Sequence, residues 1–326
     1  MYKAHFGLKS KPFRLNPHLR FLFNSEAIQR AVNSLKYGLY QREGLVLLTG
    51  GTGCGKTLLI QNISRRLPDA GIQVHTITIP RIDAHGLMQQ ILNVFGVEAA
   101  AGTATAEMMQ VLQKHLLARV DAGERFLLVI DEAHNLDDEA LDLIRLLSDM
   151  QSPNSGSLLL QIFLVAQPGL RARLASPRHE SLRQRFLVTD HIDGLSADEV
   201  PQYILRRMQL AGWQNGEIPF DAEAITRIQQ ATSGNPRKIN TLCERLLTQA
   251  YVEEQSRIRA ADVDSTLQDM DEEWRSTSTA PQTDSPSSDA RLQTLERRMT
   301  AFDATLNQIS QVTNSVLVRL DTIPQD

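Results

Sequence analysis

Gly50-Gly51-Thr52-Gly53-Cys54-Gly55-Lys56-Thr57 fits G-x-x-x-x-G-K-[ST], the phosphate-binding (Walker A) pattern. Before it runs Gly44-Leu45-Val46-Leu47-Leu48-Thr49, a short apolar stretch that reads as a buried strand. After it, Leu58-Leu59-Ile60-Gln61-Asn62-Ile63 reads as the start of a helix. That strand–loop–helix context is what the motif requires. Glycines let successive backbone N–H groups turn toward phosphate oxygens, and the following helix adds the positive end of its dipole. The lysine at Lys56 suits the β- and γ-phosphates, and the Thr57 hydroxyl suits Mg²⁺. Gly50, Gly51, Thr52, Gly53, Cys54, Gly55, Lys56, Thr57 and Leu58 are therefore the candidate nucleotide contacts, with ATP and Mg²⁺ as the implied cofactors.

The chain has 326 residues, 42% hydrophobic and 22% charged, with a formal net charge of -4. That length allows one large or two ordinary domains. The charge balance provides no global basic field for nucleic acid, although a local patch is compatible with it. Two cysteines, Cys54 and Cys243, make no disulfide framework and suit a reducing compartment. Residues 1–10 lack the apolar core of a signal peptide, and no uninterrupted apolar run approaches a bilayer span. These features read as a cytoplasmic protein that meets the inner membrane only through partners.

Residues 1–24 mix Phe6, Phe13, Phe21 and Phe23 with Lys3, Lys9, Lys11, Arg14 and Arg20, and Pro12 and Pro17 rule out one continuous helix. This is expected to be a basic, aromatic arm that packs on the nucleotide domain, or one that touches nucleic acid or a neighbouring subunit. A helix is expected from Ser25 to Tyr40, with Ser25 as its N-cap. Ile72–Ile79 alternates as a strand, and 83–95 and 105–120 read as helices. Phe126-Leu127-Leu128-Val129-Ile130-Asp131-Glu132 is an apolar run ending in two acids, the Walker B pattern. Asp131 is placed for Mg²⁺, and Glu132 for orienting and polarising the attacking water. Asp131-Glu132-Ala133-His134 also looks like a helicase box, but no second helicase motif accompanies it, and His134 reads as a polar neighbour.

An amphipathic helix over 137–150 leads through a Pro/Gly/Ser/Asn loop to a buried strand over 158–165 and then Gln167, a polar residue at a strand tip or a helix cap. Arg183 and Arg185 precede a last strand at 186–189; either one can point out of its own subunit toward a neighbour's γ-phosphate, with Arg185 the first choice. From Gly194 the pattern is helical only. Ser196 and Glu199 form a capping-box pair, and helices are expected near 221–231, 236–253 and 260–270. Pro236 suits a first helical turn, which puts Arg237 at a helix start.

In combination these motifs resemble those of an AAA+ ATPase over residues 1–270. More narrowly, the chain is similar to the ExeA-type (general secretion pathway protein A) ATPases and to those of pilus, exopolysaccharide and exosortase loci. The likeness is carried by Tyr2, Phe6-Gly7-Leu8, Pro12-Phe13, the phosphate loop, Asp131 to Leu136, Gln167-Pro168-Gly169-Leu170, Gln184-Arg185-Phe186 and Gly234 to Asn240. It implies an α/β fold, a P-loop AAA+ parallel sheet sandwiched by helices, with a helical lid domain and a C-terminal helix. It implies Lys56 on the phosphates, Gln167 as sensor 1, Arg185 as a trans arginine and Arg237 as sensor 2. The implied role is an ATP-dependent homo-oligomer that supports export or surface structures. Longer members add a membrane span and a peptidoglycan-binding domain, and a shorter member without them is the expected match. Transposition-helper ATPases, which form filaments on DNA, share the same machinery, so duplex DNA stays open as a partner, as does a slow nucleotide switch acting as a scaffold.

The expected domains are an arm (1–24), a nucleotide-binding domain (25–193), a lid (194–273), a linker (274–290) and a helix over 291–324. In that last segment Leu292, Leu295, Met299, Phe302, Leu306 and Ile309 recur three and four apart. It reads as a short coiled coil or a partner-docking helix.

Overall fold

A computed structural model describes residues 2–14, 19–80, 82–100, 102–214 and 216–278. Residues 1–268 form one compact unit, and of the second unit, 269–326, the described part is the end of one helix. In chain order the elements are α1 (Tyr2–His5), α2 (Glu26–Gln41), β1 (Leu45–Gly50), α3 (Lys56–Ser64), β2 (Ile72–Thr78), α4 (Ala84–Val94), α5 (Thr105–Asp121) and β3 (Arg125–Asp131). They continue with α6 (Asp138–Ser148), β4 (Gln161–Ala166), α7 (Pro168–Leu174), α8 (Glu180–Arg183), β5 (Phe186–Ile192), α9 (Glu199–Leu210), α10 (Ala222–Thr232), α11 (Pro236–Val252) and α12 (Ala260–Ser278).

The five strands form one parallel sheet in the order β2-β3-β4-β1-β5. Side chains alternate across a strand, so each strand feeds two cores. Leu45 and Leu47 of β1, Leu128 and Ile130 of β3, and Ile162 and Leu164 of β4 pack with Leu87 and Ile91 of α4, Leu112 of α5 and Ile144 of α6. The intervening Val46, Leu48, Leu127, Val129, Phe163 and Val165 pack with Ile28, Ala31 and Leu35 of α2 and Leu59 of α3. Burial on both faces explains why these strands read as continuous apolar runs. Strand ends differ from the sequence expectation by a few residues. β5 runs three residues further, to Ile192, and β4 begins three residues later, at Gln161, because Leu158 instead closes an antiparallel bridge with Gln151 across the preceding loop.

After β5 the chain is helical. Ile204, Met208, Ile228, Ile239, Leu247 and Val263 are fully buried at the centre of α9 to α12. The N-terminal arm packs on these helices, and its turn at Leu19–Phe21 also packs on α3 of the nucleotide domain. The Tyr2 hydroxyl donates to Glu244 Oε2 at 2.7 Å, and Lys11 pairs with Glu244 Oε1 at 3.0 Å. The Lys9 and Ser10 amides donate to Ala211 O. Phe13 meets Phe220 edge-on, and Phe23 meets Tyr203 in the same way. Helices already cover both faces of the sheet, so the arm finds its apolar surface on helices and not on strands.

Two further expectations shift. The Ser196–Glu199 pair closes only one half of a capping box. Glu199 Oε2 accepts the Ser196 amide at 2.9 Å, but α9 starts at Glu199, and Glu199 Oε1 accepts the Glu26 amide at 2.7 Å, which ties α9 to α2. Composition assigns 274–278 to the linker, yet α12 runs through Ser278. Glu272, Glu273 and Arg275 are good helix formers, and the first proline after them is Pro281. The rest of the expected linker and the 291–324 helix lie outside the described residues.

Phe163 is 1% exposed and Leu187 on β5 is 38% exposed. Phe163→Ala is expected to lower unfolding free energy by about 3–5 kcal/mol. Leu187→Ala is expected to change it by about 0.5 kcal/mol or less, both read from denaturant midpoints.

Candidate functional site

Leaving β1, the backbone turns through Gly53 (φ +82°) and Gly55 (φ +100°), conformations that favour glycine, and Lys56 opens α3. Lys56 is 7% exposed, and its Nζ donates to Gly50 O at 2.8 Å and Gly51 O at 2.9 Å. Cys54 is buried beside it, with Sγ 4.0 Å from Nζ. Burial pushes the Cys54 thiol pKa up, keeping it neutral.

Two residues into α3, the Thr57 hydroxyl donates to Asp131 Oδ2 at 2.7 Å. Asp131 ends β3 and is 5% exposed; its Oδ1 accepts the Glu132 amide at 2.9 Å. Glu132 lies in the left-handed region (φ +56°), which costs a residue with a Cβ about 1–2 kcal/mol. Its Oε2 lies 3.4 Å from His134 Nε2, so His134 is a direct neighbour of the acid. Among the described residues, no group of three or more His, Cys, Asp or Glu is placed to hold a metal. A Mg²⁺ that shares its shell with substrate phosphates needs only one or two carboxylates, so the Thr57–Asp131 oxygen pair fits it.

The helices after β5 close over this loop. Asn235 caps α11 by accepting the Arg237 and Lys238 amides at 3.0 and 3.2 Å, while its Nδ2 donates to Thr52 O at 2.9 Å. The stem of Arg237 lies against Gly53, where an added Cβ would overlap Arg237 Cβ. A cavity of about 260 Å³ is lined by Thr52 to Leu58, Glu132, Asp193 and Arg237, and also by Phe21, Phe23, Tyr203 and Arg207. The sequence motifs included Asn235 in the Gly234 to Asn240 stretch without giving it a role, and did not single out Tyr203 or Arg207 or place the arm's rings at this cavity. The one available signal was the Asn-Pro pair before α11, a helix-start pattern.

Gln167 and Arg185 do not line that cavity. Gln167 follows β4, the strand between β1 and β3, and is the N-cap residue of α7 without a side-chain capping bond. It therefore sits at the same sheet edge as Gly50 and Asp131. Arg185 precedes β5, at the opposite edge, and its NH1 lies 2.7 Å from Asp149 Oδ1 in an ion pair without hydrogen-bond alignment. It borders a larger polar hollow of about 840 Å³ that also includes Arg42, Arg125 and Glu124 and holds no part of the phosphate loop. Arg183 NH1 donates to Ala175 O at 3.0 Å.

This architecture, with its phosphate loop and acid pair, is that of a P-loop AAA+ protein. Residues 39–174 match the family model described as AAA domain. Over 263 residues the chain is 31% identical to general secretion pathway protein A of Aeromonas hydrophila, covering 81% of this chain and 47% of that one. Residues 39–174 are thus an AAA domain, in a chain similar to general secretion pathway protein A that spans about half the length of that curated relative. Among solved structures, Cdc6p of Pyrobaculum aerophilum aligns with a TM-score of 0.57 at 16% identity, over 82% of this chain and 70% of that one. The Aeropyrum pernix Orc1 protein, solved in complex with DNA, aligns at 0.56 and 20% identity, over 80% and 69%. At these identities the likeness concerns the fold. No helix among the described residues is long and apolar enough to cross a membrane.

Gly53→Ala is expected to weaken binding of a fluorescent ATP analogue about tenfold or more, because left-handed strain is joined by overlap with Arg237. Gly156→Ala has the strain alone, with open space around its Cβ, and is expected to leave that affinity unchanged.

Proposed function

We propose that the chain binds ATP with Mg²⁺ and hydrolyses it by attack of water on the γ-phosphate. The observation that carries this is the meeting of Lys56, Thr57, Asp131 and Glu132 beneath Arg237. Lys56 holds the β- and γ-phosphates once it leaves the loop carbonyls. Thr57 and Asp131 hold Mg²⁺, which when bound neutralises charge on the β- and γ-oxygens. Glu132 faces the cavity and orients the attacking water. Arg237, riding on Gly53, stabilises phosphate charge in cis. Gln167 contributes from the tip of β4. Catalysis is then mostly positioning and electrostatic stabilisation.

Arg185 lies at the sheet edge away from its own phosphate loop, which supports a role toward a neighbouring copy's nucleotide. In that role it exchanges Asp149 for a phosphate. The product is an ATP-dependent homo-oligomer of nucleotide domain (25–193) and lid (194–273), with further protein contacts made by the segment 291–324. Similarity to general secretion pathway protein A supports an assembly ATPase for an export, pilus or surface-polymer system. It would act in the cytoplasm and meet the inner membrane through partners.

Lys56→Ala is expected to abolish measurable ATP binding. Glu132→Gln is expected to keep ATP affinity and lose turnover about 10²–10⁴-fold. Equal turnover in Glu132→Gln and the unaltered chain removes the base assignment.

Turnover per subunit is expected to rise with protein concentration and to be indifferent to duplex DNA. Arg185→Ala is expected to flatten that rise, with a loss of about 10³-fold at high concentration. A rate that stays flat until duplex DNA is added, and that falls steeply with salt, favours a DNA-bound oligomer instead. Slow hydrolysis at every concentration favours a switch-like scaffold.

A further inference from the structure

Asn235 spends the two ends of its side chain on different partners. Its Oδ1 accepts the Arg237 and Lys238 amides at the start of α11, and its Nδ2 donates to Thr52 O at 2.9 Å. These partners fix the orientation of the amide group, because a flip would set its NH₂ against two N–H donors and its oxygen against a carbonyl. Serine or aspartate caps a helix as well as asparagine does. Neither of them also supplies an NH₂ donor. The second bond joins the helices after β5 to the phosphate loop, 183 residues earlier in the chain.

The turn that carries Asn235 is itself pinned. Ser233 (φ +51°) and Gly234 (φ +69°) are both left-handed, and Gly234 O accepts the Leu195 amide at 2.8 Å. A Cβ on Gly234 would overlap Leu195 O, and one on Gly194 would overlap Ser233 O, so the two backbones meet with no room for a side chain. Leu195 follows β5, whose Ile192 pairs with Gly50 at the end of β1. The contacts close a ring around the phosphate loop, from β1 to β5, from there to the Asn235 turn, and back to Thr52. Within that ring Lys56 holds the carbonyls of Gly50 and Gly51, and Asn235 holds the next one.

A trans peptide is planar, so its C=O and N–H point opposite ways. Holding Thr52 O therefore also sets the direction of the Gly53 N–H. That N–H has no acceptor among the described residues, and Gly53 lines the nucleotide cavity while Asn235 does not. Resting on the ATP reading above, we propose that Asn235 is a positioning residue for the phosphate loop. By holding the Thr52 carbonyl away from the cavity, it presents the Gly53 N–H to a phosphate oxygen. The peptide is fixed before the ligand arrives, so binding has less of the loop to order. By linkage, a bound polyphosphate holds the lid to the loop as strongly as the lid favours the polyphosphate.

The experiment is calorimetric titration of the full chain with ATP and with inorganic tripolyphosphate, beside the denaturant midpoint of the ligand-free chain. Asn235→Ser keeps a helix cap and removes the Nδ2 donor without adding charge. It is expected to bind both ligands about three- to tenfold weaker, the loss of one hydrogen bond, with its midpoint unchanged. Affinities equal to those of the unaltered chain overturn the proposal, as does a loss confined to ATP. A loss accompanied by a lowered midpoint also overturns it, because the fold of the lid then explains the effect. Asn235 caps the helix that carries Arg237, so the substitution is repeated in an Arg237→Ala chain. There the same factor is expected, the two effects being independent. A loss that vanishes in that background overturns the loop assignment, because Asn235 then acts through Arg237. Failure of the unaltered chain to bind both ATP and tripolyphosphate overturns the ATP site itself, a result distinct from any of these.

Discussion

The hydrogen bond from Thr57 to Asp131 spans the width of one strand, and the rest of the site depends on that spacing. β4 lies between β1 and β3, so the phosphate loop and the acid pair leave the sheet at the same edge without being adjacent. Parallel strands force every loop at that edge to be the one that follows a strand. The phosphate loop follows β1, the acids end β3, and Gln167 follows β4. A shift of one residue in the β3–β4 register would turn every side chain of a strand to the other face and carry Asp131 away from Thr57. Such slips are opposed by the two apolar cores, because each face of β3 and β4 has its own helices to satisfy.

The same economy governs the other half of the cavity, which is not made by the sheet. The arm, the start of α2 and the helices after β5 assemble it from segments more than 150 residues apart. Glu199 ties the first turn of α9 to the first turn of α2 through the Glu26 amide. Arg20 donates to Leu210 O at the far end of α9. Asn235 and Arg237 reach back to Thr52 and Gly53. These polar contacts are individually small. They anchor a unit whose own core is buried, so a modest tilt of that unit can change how Arg237 meets a ligand without unfolding anything.

What was legible in the chain follows from this division. The phosphate loop and the run ending in Asp131-Glu132 have fixed internal spacing, and a doubly buried strand is a plain apolar run, so the sheet and the edge that carries the loop and the acids were readable. Contacts made by residues far apart in sequence leave no such periodic mark. Phe13 and Phe23 could be read as apolar rings needing cover, but nothing local says that Phe220 and Tyr203 provide it. Arg207 sits in the last turn of an amphipathic helix, where a cation favours the helix dipole, and so it reads as an ordinary solvated residue. Its burial appears only once the arm is laid across α9. Similarly, the Ser/Thr/Pro/Asp-rich composition after 274 concealed a last turn of α12, because the helix-forming run before it ends gradually.

The backbone at Glu132 adds one more physical consideration. A glycine there would avoid the left-handed strain, yet the proposed reaction calls for a carboxylate where the chain turns off β3. The strain is held in place by the Glu132 amide on Asp131 Oδ1 and by the Asn135 side chain on Ile79 O, which pins the following turn to the end of β2. Asp131 therefore serves two neighbours at once: one oxygen meets Thr57, and the other fixes the amide that directs Glu132. Neutralising Asp131 weakens both its bond to Thr57 and its bond to the Glu132 amide, whereas neutralising Glu132 removes neither. The two acids are adjacent in sequence but unequal in physical role, because one is buried and doubly bonded and the other faces the cavity.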